Sequence, residues 1–244
     1  MKKIVGVLIL LVVIFSLNKN VYAEESIYYT TTNGIELTEE EYHFLTDFYW
    51  DGYPDIMTEE QYEEFKKSDL LDRKLQVKRI EDSDENPVKS PFHGTGAKEL
   101  KIAAACSSSN CMVTLNLDWL VVPAIKSYDV IGAYLSGVSL ISHNGTYVIS
   151  TTSSNYYNNL KTAYNGIGNS VKLPSSGSNI IVNMTFTTSR GGTIYGSYQH
   201  AMSNTTLPVS KYYNFSLGGY GNVFSFYGSA VGIYDGMGGV DITV

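Results

Sequence analysis

No glutamate follows Glu99 in this 244-residue chain, and everything from Lys101 onward holds only four acids, Asp118, Asp129, Asp235 and Asp241. Six bases accompany them, whereas residues 24–100 carry 20 acids and 8 bases. Net charge therefore changes from −12 to +2 across one boundary, and the two stretches are different kinds of structure. A domain without glutamate is poorly supplied with the paired carboxylates that general acid–base and glycoside chemistry use. Clustered Lys and Arg are also lacking, which argues against nucleic acid, because neutralising phosphates requires such clusters.

Catalytic signatures are missing too. There is no Gly-x-Ser-x-Gly, no His-Glu-x-x-His and no phosphate-binding loop. His143 and His200 are the only histidines after residue 100. His200, in Tyr-Gln-His-Ala, reads as a half-buried strand residue rather than a catalytic base. Asp235 and Asp241 bracket a Gly-rich turn without the dense oxygen spacing of a calcium loop. No metal site and no cofactor are expected.

Long apolar runs are confined to the start. Lys2-Lys3, an apolar run over residues 4–17 and then Val21-Tyr22-Ala23 have the order of a secretory signal peptide cleaved after Ala23. Fourteen residues are short for a bilayer, which needs roughly 20. The expected location is extracellular, and without residues 1–23 the net charge is −10. Only two cysteines exist, Cys106 and Cys111, in Cys-Ser-Ser-Ser-Asn-Cys. In an exported protein they read as a disulfide, closing a small loop worth about 2 kcal/mol on the chain-entropy estimate.

What is present divides in two. Leu-Thr-Glu-Glu-Glu-Tyr at 37–42 and Met-Thr-Glu-Glu-Gln-Tyr at 57–62 are capping boxes, in which Thr38 and Thr58 take an orphan N–H and Glu41 and Gln61 reach back. They predict a helical hairpin over 39–50 and 59–67, with the stripe Tyr42, Leu45, Phe48, Tyr49 and Phe65. That stripe is too small to fold alone and must dock on something. Residues 70–100 read as a charged linker. The domain reading is a signal peptide over 1–23, an acidic helical hairpin over 24–69, the linker, and a β domain over 101–244. The hairpin reads as a permanent part of the protein, with a removable pro-segment as the alternative.

After residue 100 the pattern is β. Met112 to Trp119 alternates strictly, placing Val113, Leu115, Leu117 and Trp119 on one face. It is the first of seven or eight strands, among them a hairpin over 180–201 about the Ser-Arg-Gly-Gly turn, with one helical turn near 158–164. The fold class is mainly β, an antiparallel β-sandwich preceded by a small acidic α-helical hairpin. Leu117-Asp118-Trp119, Pro123-Ala124 and Tyr128-Asp129-Val130 resemble the second and third strands of fibronectin type III-like sandwiches, which implies the sandwich and no activity. The Thr-Glu-Glu-x-Tyr unit is similar to segments of uncharacterised exported Gram-positive bacterial proteins.

The abundance that bears on function is aromatic: 13 tyrosines lie beyond residue 100. Tyr156, Tyr157, Tyr212, Tyr213 and Tyr220, beside Asn or Gly, are the candidate binding residues, since Tyr combines a flat apolar face with a hydroxyl at low entropic cost. The expected function is a secreted or surface-associated, non-catalytic binding or adhesion protein for a cell-surface glycan or protein. The alternative is a membrane-active or pore-forming toxin with an acidic pro-segment, inserting an uncharged hairpin such as 180–201. A hydrolase ranks third.

Overall fold

The computed structural model describes residues 26–82, 98–158, 160–163, 165–201, 214–217, 221–225, 234–236 and 239–244. The signal-peptide reading lies outside them. Among the described residues no helix is long and apolar enough to cross a membrane.

Two antiparallel sheets face each other. The first is built from β3 (Lys74–Asp82), β4 (Lys98–Cys106), β5 (Asn110–Trp119), β11 (Ile181–Ser189), β7 (Leu140–Ser150) and β8 (Ser153–Tyr157), in that spatial order. The second runs β15 (Tyr234–Gly236), β12 (Thr193–Ala201), β6 (Tyr128–Ser136), β10 (Gly166–Lys172) and β9 (Lys161–Ala163), with β16 (Val240–Thr243) also paired to β12. Short pairs are made by β1 (Tyr29–Thr30) with β2 (Glu36–Leu37), and by β13 (Asn214–Leu217) with β14 (Gly221–Ser225). The core between the sheets contains Val113, Leu115, Leu117 and Trp119, the face that the alternation of β5 predicts, against Ile131, Ile167 and Ile194. The protein is mainly β, and the sandwich is observed.

Several expectations need correcting. Residues 74–82 are no linker: β3 pairs with β4 along its whole length, from Lys74↔Cys106 to Asp82↔Lys98. The 180–201 segment is no hairpin either, because β11 and β12 belong to opposite sheets. The turn between them is a corner, where a Cβ on Gly192 would stand 2.1 Å from the Ser136 carbonyl oxygen. Residues 161–163 form a strand rather than a helical turn, and β8, β9 and β10 raise the strand count above seven or eight.

The disulfide forms as expected. Cys106 and Cys111 face each other across the β4–β5 hairpin, with Cα atoms 4.1 Å apart, so the bond ties two paired strands together at their turn.

The helices are α1 (Glu39–Phe48), α2 (Tyr53–Ile56) and α3 (Glu59–Lys67). Both capping boxes close, Thr38 with Glu41 and Thr58 with Gln61. The helical unit docks on the outer face of the first sheet, where Leu37, Leu45, Phe48, Met57 and Phe65 form a second core with Ala103 and Ala105 of β4. Alanine at these outward positions lets the helices approach closely, so the chain is three layers deep.

The end of α1 is capped from the sheet. A helix leaves its last carbonyls without internal partners. Here the Thr114 hydroxyl donates to the Phe48 carbonyl, and the Lys101 ammonium donates to the Thr46 carbonyl at 2.8 Å. Lys101 is only 2% exposed. Burial, helped by the charge of Arg79 and opposed by Asp51, Asp47 and Glu99, pushes its pKa down to about 8. Between there and the free value of 10.5 the unfolded chain holds the extra proton, so raising the pH stabilises the fold. Stability is expected to rise by about 1–2 kcal/mol between about pH 7 and pH 9.5. Urea denaturation at stepped pH checks this, and the rise should vanish in Lys101→Met. Above about pH 10 the sign reverses, because half-buried Tyr49 and Tyr53 have raised pKa values and keep protons that the unfolded chain releases.

Candidate functional site

The helical layer covers the first sheet incompletely, and a cleft of about 600 Å³ remains between them. Its floor is the outward face of the sheet: Met112 from β5, Asn183 and Thr185 from β11, and Tyr147 and Ile149 from β7. Its walls are Tyr49 and Trp50 at the end of α1, Tyr53 and Ile56 of α2, and Gln61, Glu64 and Phe65 of α3. Asp69 and Arg73 stand at one end.

Aromatic rings dominate the walls. Tyr49 and Tyr53 stack with centroids 4.0 Å apart, and Trp50 meets Tyr53 edge-on at 4.9 Å. Across the cleft Tyr147, 40% exposed, lies 4.9 Å from Tyr156. Burial, with the nearby Tyr147 hydroxyl, pushes the Tyr53 phenol up to about 12, so it stays a neutral donor at physiological pH. The floor is uncharged, and its polar part is hydrogen-bonded: the Thr185 hydroxyl donates to Asn183 Oδ1 at 3.1 Å, and Asn183 Nδ2 reaches Asn116 Oδ1 at 3.5 Å.

The rim near Tyr147 is set by a β-bulge. The β7–β11 register slips between Met184↔Thr146 and Phe186↔His143, so Asn144 and Gly145 together oppose Thr185. Bulges of this kind re-aim side chains beside functional sites. Gly145 has φ +85, and a Cβ there would stand 2.6 Å from the Tyr156 ring. Only glycine meets both conditions without strain.

The predicted tyrosines fall unevenly. Tyr156 is 52% exposed, but its hydroxyl donates to the Asn144 carbonyl at 2.8 Å, so it buttresses the bulge and Tyr147. Tyr157 is half-buried and donates to the Lys172 carbonyl at 3.1 Å, away from the cleft. Tyr212, Tyr213 and Tyr220 lie outside the described residues. The residues that actually line the cleft were missed because they come from many short segments. One signal pointed to it: Thr114, Asn116, Asn183 and Thr185, at the middle outward positions of β5 and β11, are uncharged, as befits a covered face.

The other polar cluster is internal. Asp129 and His200 are both fully buried, with His200 Nδ1 2.9 Å from Asp129 Oδ2. The Ala201 N–H also donates to Asp129, at 2.9 Å, and so does the Tyr198 hydroxyl. Burial pushes the Asp129 carboxyl up, against the lowering effect of His200 and these donors. Trp119 meets His200 edge-on at 4.7 Å. His200 is thus fully rather than half-buried. Among the described residues no group of His, Cys, Asp and Glu is placed to hold a metal ion.

The architecture is that of an antiparallel β-sandwich carrying a helical layer and a cleft between the two. No family model and no curated sequence matches this chain. Among solved structures it is similar to the KRT10-binding region domain of the pneumococcal serine-rich repeat protein PsrP, at 12% identity over 52% of this chain and 86% of that one, with a TM-score of 0.31. A likeness at that level transfers no function.

Proposed function

We propose that this is a secreted or surface-associated, non-catalytic binding protein that holds a cell-surface glycan or a protein segment in the cleft between its helices and its first sheet. The aromatic walls over an uncharged floor, in which Asn183 and Thr185 lie beside Met112 and Ile149, carry this reading. Concave sites of this volume, mostly apolar with a few polar groups placed to orient a ligand, are the usual form of a binding pocket. The disulfide and the apolar N-terminal run support an extracellular setting. On this reading the helical unit is retained in the working protein, because it forms a wall of the site.

Tyr147 is the residue to test, being half-exposed and outside both cores. A glycan array, followed by titration of whatever binds, is expected to show Tyr147→Ala weakening binding tenfold or more, about 1.4 kcal/mol, with thermal stability nearly unchanged. Undiminished affinity in that variant would place the site elsewhere on the molecule.

A further inference from the structure

The charges around the cleft narrow its ligand. Among the described residues Arg73 is the only cation lining it, and each of its guanidinium nitrogens already has a partner. Nε and Nη2 lie 2.9 and 2.7 Å from Asp69 Oδ1, and Nη1 donates to Asn110 Oδ1 at 3.0 Å. On the α3 wall stands Glu64, exposed, close enough to Tyr53 to raise its pKa, and without an ion-pair partner among the described residues. An anion entering here meets one unopposed carboxylate and finds no available cation. Losing a carboxylate's hydration without a partner is costly, and like charges a few ångströms apart repel even in water.

The floor argues against a peptide main chain. β5, β11 and β7 are each paired on both sides, so they present a face and not an edge. An extended peptide adds itself to a sheet edge, where unpaired N–H and C=O groups wait. An amphipathic helix would need a continuous apolar groove, and Asn144, Asn183, Thr185 and Gln61 interrupt this one. Sugar rings match both surfaces, stacking their C–H faces on tyrosine while their hydroxyls meet amides and hydroxyls.

We infer that the cleft takes an uncharged oligosaccharide and rejects the carboxylated counterpart of the same glycan. This rests on the reading that the cleft is the binding site. The pairing of Arg73 with Asp69 and Asn110 keeps a cation in the wall while denying it to the ligand. Glu64 supplies the repulsion.

The test uses the secreted full chain and a panel of neutral oligosaccharides (lactose, maltotriose, chitotriose) beside sialyllactose and carboxylated forms of the others, titrated by calorimetry. The expected result is binding of at least one neutral sugar and at least tenfold weaker binding of its acidic counterpart. Glu64→Lys, an exposed substitution that leaves both cores intact, should shrink that ratio about tenfold or more. Acidic sugars bound as well as neutral ones, with both lost in Tyr147→Ala, would overturn the charge selection and leave the cleft reading standing. So would a ratio unchanged in Glu64→Lys. No sugar of either kind bound, or binding indifferent to Tyr147→Ala, would overturn the cleft reading itself.

Discussion

Asp129→Ala is expected to destabilise the protein by about 3–5 kcal/mol, the cost of removing the buried carboxyl on which several buried polar groups depend for their hydrogen bonds. Two donors, the Tyr198 hydroxyl and the Ala201 N–H, lose their acceptor at once, and His200 Nδ1 loses its hydrogen-bond partner. Asp129, Tyr198 and His200 are all fully buried, so water cannot replace the carboxylate without opening the sandwich. Against a total stability of about 5–15 kcal/mol, such a loss removes a third or more. Urea denaturation followed by tryptophan fluorescence suits the measurement, because Trp119 packs on both Tyr198 and His200. Asp129→Asn should cost less, since an amide oxygen still accepts from Ala201. A loss below about 1 kcal/mol in the alanine variant would mean that the network does not hold this end of the sandwich together.

This network shows how far the sequence could be read. Asp129 and His200 stand 71 residues apart, and neither has a local signal of its partner. Only the β6–β12 register, which reaches Gln199↔Val130, brings them side by side. The capping boxes of α1 and α3 and the inward face of β5 were legible because their causes lie within a turn or a strand. β3 was not: its Lys, Arg, Glu and Asp side chains have the composition of a solvated linker, although one of its edges is fully paired.

The scarcity of charge beyond residue 100 also gains a physical cause. An antiparallel sheet with one wet face alternates apolar and polar residues, and its outward positions usually include charge. Here the outward Thr114, Asn116, Asn183 and Thr185 are buried at 0, 3, 3 and 7% exposure, beneath or beside the helices. Apart from Glu99, Lys101 and Asp118, which also point outward, the charge stands in the layer above, in α1 and α3. The cleft was invisible in the sequence because it exists only where those layers meet.

That dependence makes Phe48 the other decisive position. Its ring is fully buried between α1 and the sheet, 5.5 Å from Phe44 and 4.9 Å from Tyr49, and its carbonyl accepts from Thr114. Phe48→Ala is expected to cost about 3–5 kcal/mol, through lost burial and the cavity left behind. The consequence should exceed stability, because Tyr49 forms part of the cleft wall and would lose its support. A chain beginning at residue 98 is the stronger version. It strips the helices and β3 together, baring Ala103, Ala105 and Met112 and leaving β4 as an open edge that invites aggregation. Such a fragment should express as insoluble material or as a soluble oligomer without ligand affinity. A monomeric, cooperatively folding fragment that still binds would show that the helical unit is dispensable and would revive its reading as a removable pro-segment. Size-exclusion chromatography with thermal denaturation separates these outcomes, and retention of affinity in Phe48→Ala near its wild-type value would remove the helices from the site.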